Sequence, residues 1–317
     1  MKHLKLFLLM ISLTNLSCGQ NQNANIAKEY SDLSSLNLKG AIKQMKEISF
    51  RGARQGDNFV AISPEWQYSW QNDKLYSFDL NGNLTHEIFY DGETEIRRNT
   101  YKFDNNGIIE EKTRYYDRFY EYNSEGQIEK VRVINRQPAR ITTGNEPGTA
   151  GQTSIRYYEY DEHGRLKKVI ERDLNGNQLH YELYKYNSTG LLREKQLNSP
   201  EFTETYTYKY NNLNLPTEIV WRDSEEGMIE RERFKYQNGE LVEHKWENFD
   251  ENELEGYIVY TFENGNKKQI LEYDDEHELE NRQINIYEYD LHENWTRKVI
   301  ITDNDKVIIV QREIEYY

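Results

Sequence analysis

Aromatic and aliphatic side chains recur in one short pattern along most of the chain: aromatic, any residue, aromatic, Asp or Asn, two turn residues, Gly, any residue, aliphatic. Aromatics two positions apart lie on one face of a strand, and Tyr and Phe favour strands. Asp or Asn starts a turn by bonding its own backbone, and Gly supplies the positive φ of a tight reversal. The pattern therefore predicts β-hairpins. Its clearest copies are Tyr76–Leu84, Tyr101–Ile109, Tyr120–Ile128, Tyr158–Leu166 and Tyr184–Leu192.

The copies continue at a nearly constant spacing of 24 to 27 residues in the second half of the chain. Such a period indicates stacked supersecondary units. A looser turn between copies, such as Asp173–Asn177, gives each period two strands, so we expect roughly eighteen to twenty strands. The weaker copies are Tyr208–Pro216, Phe234–Leu241, Tyr260–Lys267 and Tyr287–Trp295.

We predict an all-β fold of tandem antiparallel β-hairpin repeats that form a long meandering, twisted or coiled sheet. Whether the sheet stays open, coils or closes is left undecided by the pattern, because both faces of many strands carry apolar residues. Two stretches interrupt the repeat. Residues 137–153 are rich in Gly, Pro and Thr and predict an exposed loop insertion. Arg54–Trp66, before the first clear copy, also looks irregular.

The N-terminus carries an export signal. Lys2, His3 and Lys5 precede the apolar run Leu6–Leu13, which is too short for a transmembrane helix of about 20 residues. Ser17 and Cys18 then resemble the lipobox of bacterial lipoproteins, in which the cysteine is acylated. We therefore predict a signal peptide over 1–17, a lipidated Cys18 with a flexible tether over 18–38, and a single repeat domain over 39–317.

The repeat itself resembles a known family. The copy Tyr158–Leu166 (YEYDEHGRL) is similar to the YD repeat, also called the RHS repeat, of bacterial surface and toxin-associated proteins. The resemblance covers most of residues 70–317, and Tyr287–Tyr317 further resembles small repeat-bearing lipoproteins of Bacteroidetes. It implies the hairpin-repeat fold and, among functions, toxin enclosure, adhesion or carbohydrate contact. Because this array is short for enclosing a passenger protein, the resemblance supports the fold better than a function.

The net charge and the sequence motifs limit which partners and which chemistry we expect for this protein. The formal net charge is −15, and removing residues 1–17, with two lysines and no acid, makes it −17. Nucleic-acid binding needs a basic stripe, so we expect no nucleic-acid partner. The sequence has no zinc spacing, phosphate loop or nucleophile elbow. We therefore expect no metal, no cofactor and no catalytic residue.

The tryptophans are the candidate ligand-binding aromatics, because exposed aromatic faces stack on sugar rings or anchor protein interfaces. Packing within the sheet is the alternative role for each of them. They are Trp66, Trp70, Trp221, Trp246 and Trp295.

Together these features predict a non-catalytic lipoprotein of the bacterial cell envelope, anchored through Cys18 to a membrane, the outer membrane above all, and periplasmic or surface-exposed. Its β-repeat surface would bind a glycan or an envelope protein. An accessory or immunity-type protein that binds a toxin is the first alternative, and a polysaccharide-acting enzyme is the second.

Overall fold

The computed structural model describes residues 33, 36–64, 73–136, 153–303 and 305–317, and these form one sheet of 21 strands. The signal peptide, Cys18, most of the tether and residues 137–152 lie outside the described residues. In the described part no helix is long and apolar enough to cross a membrane. The strands are β1 (Ile42–Gln55), β2 (Asn58–Pro64), β3 (Asp73–Phe78), β4 (Leu84–Asp91), β5 (Thr94–Asp104), β6 (Gly107–Lys112), β7 (Tyr116–Tyr122), β8 (Ile128–Asn135), β9 (Thr153–Tyr160), β10 (Leu166–Asp173), β11 (Gln178–Tyr186), β12 (Leu192–Asn198), β13 (Thr203–Tyr210), β14 (Pro216–Asp223), β15 (Gly227–Gln237), β16 (Glu240–Asp250), β17 (Glu253–Glu263), β18 (Asn266–Asp274), β19 (Leu279–Tyr289), β20 (Trp295–Thr302) and β21 (Val307–Tyr316).

The sheet closes on itself, so the prediction of a long meandering, twisted or coiled sheet is wrong. Strands β3 to β21 pair antiparallel in chain order, and β1 then pairs with both β21 and β3. The ring is thus a closed antiparallel barrel of 20 strands, with β2 outside it. Closure depends on contacts such as Met45 with Ile314, which a local repeat cannot encode. A closed ring removes the free edges that an open sheet would expose.

The hairpin turns form as the repeat predicts. In the copy that ends at Leu166, one Asp161 carboxylate oxygen accepts the backbone N–H groups of His163 and Arg165, each at 2.9 Å. Gly164 then takes a positive φ of 72°. The two-residue turn Asn238–Gly239 has φ values of 53° and 86°, the sign pattern that a type I′ hairpin requires.

The two faces of the wall differ in what covers them. Side chains alternate across a strand, so the motif aromatics share one face. The segment Leu36–Lys39 packs on that face and also binds the turns around it, because Asn37 donates to Asn266 at 3.3 Å and the Lys39 N–H donates to Asn294 at 2.7 Å. A segment that joins such separate turns lies within the ring. The aromatic face is therefore the inner face, and the motif turns form the end of the barrel that this segment covers.

The largest apolar cluster lies at that covered end. Leu38, Ile42, Met45, Tyr76, Phe78 and Leu84 are all buried there. Leu33 and Leu36 pack against the cluster, although both fall in the stretch assigned above to the tether.

The stretch Arg54–Trp66 is regular for most of its length, so the irregular interpretation is wrong as far as Pro64. Its residues form the end of β1 and all of β2, which pair from Phe50 to Pro64. This hairpin lies over the outer face, where Phe50 and Phe59 pack on Val299, Val307 and Ile309. A Cβ added at Gly52 would come within 2.7 Å of Val307, so only glycine fits this approach.

Candidate functional site

A cavity opens on the inner face at the end of the barrel opposite the motif turns. Its volume is about 250 Å³. Two of its lining residues, Asn135 and Thr153, end β8 and begin β9, on either side of the predicted insertion. The lining consists of Asn135, Thr153, Ser154, Glu171, Asp173, Leu174, Asn175 and Leu179. The cavity therefore combines amides, hydroxyls and carboxylates with two leucines, of which Leu174 is 67% exposed.

Glu171 is the fixed charge of this cavity. Its carboxylate accepts the Ser154 hydroxyl at 2.5 Å and the Arg156 Nε–H at 2.6 Å. Burial by itself would raise the pKa of Glu171, but Arg156, Ser154 and His180 outweigh burial, so the pKa lies below its usual value. The group is thus a permanently ionised acceptor held in one orientation.

Ser154, His180 and Glu171 are the residue types of a hydrolytic triad, but their arrangement differs from one. In a triad the imidazole lies between the serine and the carboxylate and takes the serine proton. Here the Ser154 hydroxyl binds Glu171, and the His180 Nε2 atom approaches the other oxygen of the same carboxylate at 3.2 Å. The carboxylate occupies the central position, so the serine is not activated as a nucleophile.

The candidate tryptophans fall into three groups. Trp66 and Trp70 lie outside the described residues. Trp295 is 8% exposed and packs under the Arg312 guanidinium, whose carbon is 3.5 Å from the ring centre. Trp221 and Trp246 lie on the inner face of β14 and β16, opposite Glu230 and Glu232 of the strand between them.

Trp221 belongs to a stacked row. Its ring is parallel to that of Tyr206, with centres 5.8 Å apart, and the Lys195 ammonium lies 5.8 Å from the Tyr206 ring. The Trp221 indole N–H is buried and has no acceptor among the described residues. A flat aromatic pair with a free donor is suited to a polar ligand that stacks.

Two carboxyl groups border this row. Burial raises the pKa of Glu204 and that of Glu230. The Tyr206 hydroxyl donates to Glu204 at 3.2 Å, and the Trp246 indole N–H donates to Glu230. These bonds hold the acids in place beside the rings.

The sequence analysis missed every charged inner-face residue, yet a signal for them exists. Arg118, Arg156 and Glu182 each stand two positions before the first motif aromatic, as in Arg156-x-Tyr158-x-Tyr160. Because the side-chain period of a strand is two, that spacing places the charge on the same face as the aromatics. Extending the pattern by two residues would have identified them.

No group of three or more His, Cys, Asp or Glu side chains suited to a metal ion occurs among the described residues. The cavity offers groups for hydrogen bonding, and the Tyr206–Trp221 row offers rings for stacking.

No family model matches the chain, and no curated protein matches it. Solved structures align with the chain at low similarity. A porin-like protein from Bacteroides uniformis aligns with a TM-score of 0.35 and 11% identity, over 87% of this chain and 98% of that one. A porin-like protein from Bacteroides vulgatus gives a TM-score of 0.31 and 11% identity, over 88% and 99%. TcdB2-TccC3 gives 0.35 and 12%, over 80% of this chain but 18% of that chain. Similarity this low assigns neither a family nor a function.

Proposed function

We propose that the protein is a non-catalytic binding protein of the bacterial cell envelope that takes a hydroxyl-rich ligand, a segment of glycan, in the cavity beside Glu171. The observation that carries the proposal is the cavity itself, which places a fixed ionised acceptor, two amides and two hydroxyl groups around about 250 Å³. Sugar hydroxyls both donate and accept hydrogen bonds, so a mixed lining of this kind matches them.

The apolar part of the lining suits the same ligand. Leu174 and Leu179 stay 67% and 38% exposed at the mouth, where they offer a surface to the C–H face of a sugar ring. Ligand sites commonly combine apolar walls with a few placed polar groups. The Tyr206–Trp221 pair lies on the same inner face and would extend contact along a longer chain.

The arrangement supports binding without turnover. Glu171 is held by Ser154 and Arg156 with its pKa lowered, which favours an acceptor over a general acid. The serine lacks the imidazole contact that a nucleophile needs.

The envelope location rests on the N-terminal signal and Cys18, together with the outer face. In the middle of β15 and β16 that face carries Glu247, which Arg231 approaches at 2.5 Å and Lys245 at 3.0 Å. A barrel embedded in a bilayer presents an apolar band outward. We therefore place this barrel in water beside the membrane, held there by the lipid on Cys18.

The test is a pull-down from native cells with a tagged chain that begins after Cys18, followed by analysis of bound proteins and sugars. Enriched polysaccharide would support the proposal. A single protein recovered near one-to-one, with no sugar, would overturn it in favour of the accessory or immunity role.

The recovered glycan would then be titrated against two matched variants. Glu171→Gln keeps the shape of the cavity but removes its charge, and we expect affinity to fall about tenfold or more, as for a charge-assisted hydrogen bond. Glu194→Gln removes a carboxylate that pairs with Lys185 on the outer face and should leave affinity unchanged. Equal binding by the wild type and both variants would exclude the cavity as the site. Circular dichroism and melting curves verify that both variants fold.

The lipid anchor has a separate test. Cys18→Ala removes the acylation site, so we expect the protein to move from the membrane fraction to the soluble fraction. Ser17→Thr, which keeps the cysteine, serves as the control. Membrane attachment of the Cys18→Ala variant would refute the anchor without affecting the glycan proposal.

A further inference from the structure

Four cationic side chains line one part of the inner face, on strands that do not border the cavity. Glu47 on β1 lies between two of them, because it faces Lys74 on β3 on one side and Arg312 on β21 on the other. Arg97 on β5 is next along the row, since it faces Phe89, which faces Lys74. Lys298 on β20 faces Val310, two residues from Arg312. The four cations therefore form a row in a protein with a net charge of −15.

Carboxylates are scarce in this row. Arg312 donates its Nε–H to Glu47 at 2.8 Å, and among the described residues no carboxylate lies within ion-pair distance of Lys74, Arg97 or Lys298. All three of these cations rest on a ring instead. The guanidinium carbon of Arg97 is 3.4 Å and the ammonium of Lys74 is 5.5 Å from the centre of Phe89, and the ammonium of Lys298 is 6.0 Å from that of Tyr287.

Three other cations of the inner face are paired differently. Arg118 pairs with Glu111 at 3.1 Å, Arg156 with Glu171 at 2.6 Å and Lys195 with Glu182 at 3.1 Å. Each of those cations has its own carboxylate on a neighbouring strand. The row differs from these three sites in its deficit of carboxylates.

The row also holds donors without acceptors. The Arg312 side chain is 6% exposed, and its Nη1 atom is buried with no hydrogen-bond partner among the described residues. The Nε atom of Arg97 is likewise buried without a hydrogen-bond partner among the described residues. Burial, together with the nearby cations Arg312 and Lys74, lowers the pKa of Lys298 to about 8 against the opposing effect of Glu47. Buried donors and uncompensated charges are costly unless a partner is supplied.

We propose that Arg97, Lys74, Arg312 and Lys298 form a binding site for an anionic ligand group, a phosphate or a carboxylate. Guanidinium groups bind both anions through paired N–H donors, and the ammonium groups add point charges. The site lies on strands other than those of the cavity and is independent of the glycan proposal. It accounts for the unused donors, because the anion is the acceptor that they lack.

The experiment is calorimetric titration of the wild-type chain with inorganic phosphate and, separately, with citrate as a carboxylate probe. Sodium chloride at matched ionic strength and a neutral sugar are the controls. We expect saturable binding of at least one of the two anions, and the tighter one identifies the ligand class. Heats no larger than those of sodium chloride for both anions would overturn the proposal.

Two single variants locate the site. Lys298→Met and Arg97→Gln keep an unbranched side chain near the backbone and remove one charge each, and we expect each to weaken anion affinity about tenfold or more. Lys209→Met, in an exposed pair with Glu218 on the outer face, is the matched control and should change affinity by less than about twofold. Anion binding that Lys298→Met and Arg97→Gln leave unchanged would also overturn the proposal.

A second measurement needs no variant. Lysine acetylation read by mass spectrometry should slow at Lys298 and Lys74 when phosphate or citrate is present, and should be unchanged at Lys209. Equal acetylation rates with and without the anion that binds would contradict the site.

Discussion

The second aromatic of four repeats acts beyond its own hairpin. The Tyr186 hydroxyl donates to the backbone oxygen of Leu166 in the preceding strand at 2.8 Å, and Tyr160 does the same to Ile128 at 2.8 Å. Tyr122 and Tyr210 make equivalent bonds to Ile108 and Leu192. One residue type at one repeat position therefore joins neighbouring hairpins, and phenylalanine at this position, as at Phe78, would not make the bond.

This bond predicts the effect of deleting one oxygen atom. Tyr186→Phe keeps the ring over which Arg165 lies, but leaves the Leu166 carbonyl without that donor. We expect the free energy of unfolding to fall by about 1 kcal/mol in urea titrations. Tyr157→Phe, at a ring 38% exposed on the outer face, is the control and should change it by less than half as much. Equal effects of the two variants would show that the hydroxyl bond contributes nothing.

A residue other than glycine at the glycine position of the turn lowers stability, because the backbone there has a positive φ. Glu293 takes the place of the motif glycine at a φ of 63°, a conformation that L-residues other than Asn and Asp rarely adopt. We expect Glu293→Gly to raise the free energy of unfolding by roughly 0.5–1 kcal/mol, measured in urea.

Two controls separate the backbone from the side chain at this turn. Glu293→Gln removes the exposed pair with Lys39 but keeps the unfavourable φ, so it should not stabilise the protein. Asn214→Gly, at a φ of 62°, should gain less, since asparagine tolerates this region. A loss of stability in Glu293→Gly would mean that the ion pair outweighs the backbone cost.

At the scale of the element, the repeat contains what a hairpin needs. Its aromatics, its Asp or Asn and its glycine predict strands and turns, and the structure confirms both at Tyr158–Leu166. Strand β1 lacks the motif, and the sequence pattern predicts irregular structure over Arg54–Trp66, where the β1–β2 hairpin in fact continues to Pro64. Its position depends on Phe50 and Phe59 meeting Val307 and Ile309, about 250 residues later in the chain.

The Asn294 side chain binds the segment before β1. Asn294 is fully buried, its oxygen accepts the Lys39 N–H at 2.7 Å, and its amide donates to the Lys39 carbonyl and the Tyr316 hydroxyl, each at 2.8 Å. Because Asn294→Ala leaves these groups without partners, we expect a loss of about 2–3 kcal/mol in the free energy of unfolding. Hydrogen exchange at the Lys39 amide should be faster in Asn294→Ala than in the wild type.

Asn248→Ala is the matched control for that change. Its amide bonds Glu255 in an exposed contact at 2.8 Å, so its loss should cost little and leave Lys39 exchange unchanged. An unaltered Lys39 exchange rate in Asn294→Ala would show that the segment is held by its leucines rather than by this asparagine.

At the scale of the molecule, closure and the grouping of inner-face residues from separate strands are the features that sequence reasoning could not supply. Closure requires β1 to pair with both β3 and β21, and no local pattern specifies partners at such separations. The cavity near Glu171 and the cationic row near Arg312 each draw residues from several strands. Their positions follow from the register of the ring, which the repeat alone does not determine.

The buried tyrosines of the barrel predict how its stability changes at alkaline pH. Burial raises the pKa of Tyr122, Tyr160, Tyr186 and Tyr210 to about 12. Between pH 10 and 12 the unfolded chain loses these protons while the barrel keeps them, so the folded state binds more protons and stability falls as pH rises. Each such tyrosine contributes about 1.4 kcal/mol per pH unit. Four of them give about 5–6 kcal/mol per unit, which is comparable with the whole stability of an ordinary domain.

We therefore expect cooperative unfolding within one to two pH units above about 10, with tyrosinate absorbance and loss of the β-sheet circular dichroism signal appearing together. Lys298 acts in the opposite direction only at lower pH, since its pKa is lowered from 10.5 to about 8 and its deprotonation favours the folded state between those two values. In a Tyr186→Phe, Tyr210→Phe double variant the dependence should weaken by about 2.8 kcal/mol per pH unit. Tyrosinate absorbance that rises near pH 10 while the sheet signal persists would mean that these rings ionise within the folded barrel, and that the hydroxyl bonds between hairpins do not hold their protons.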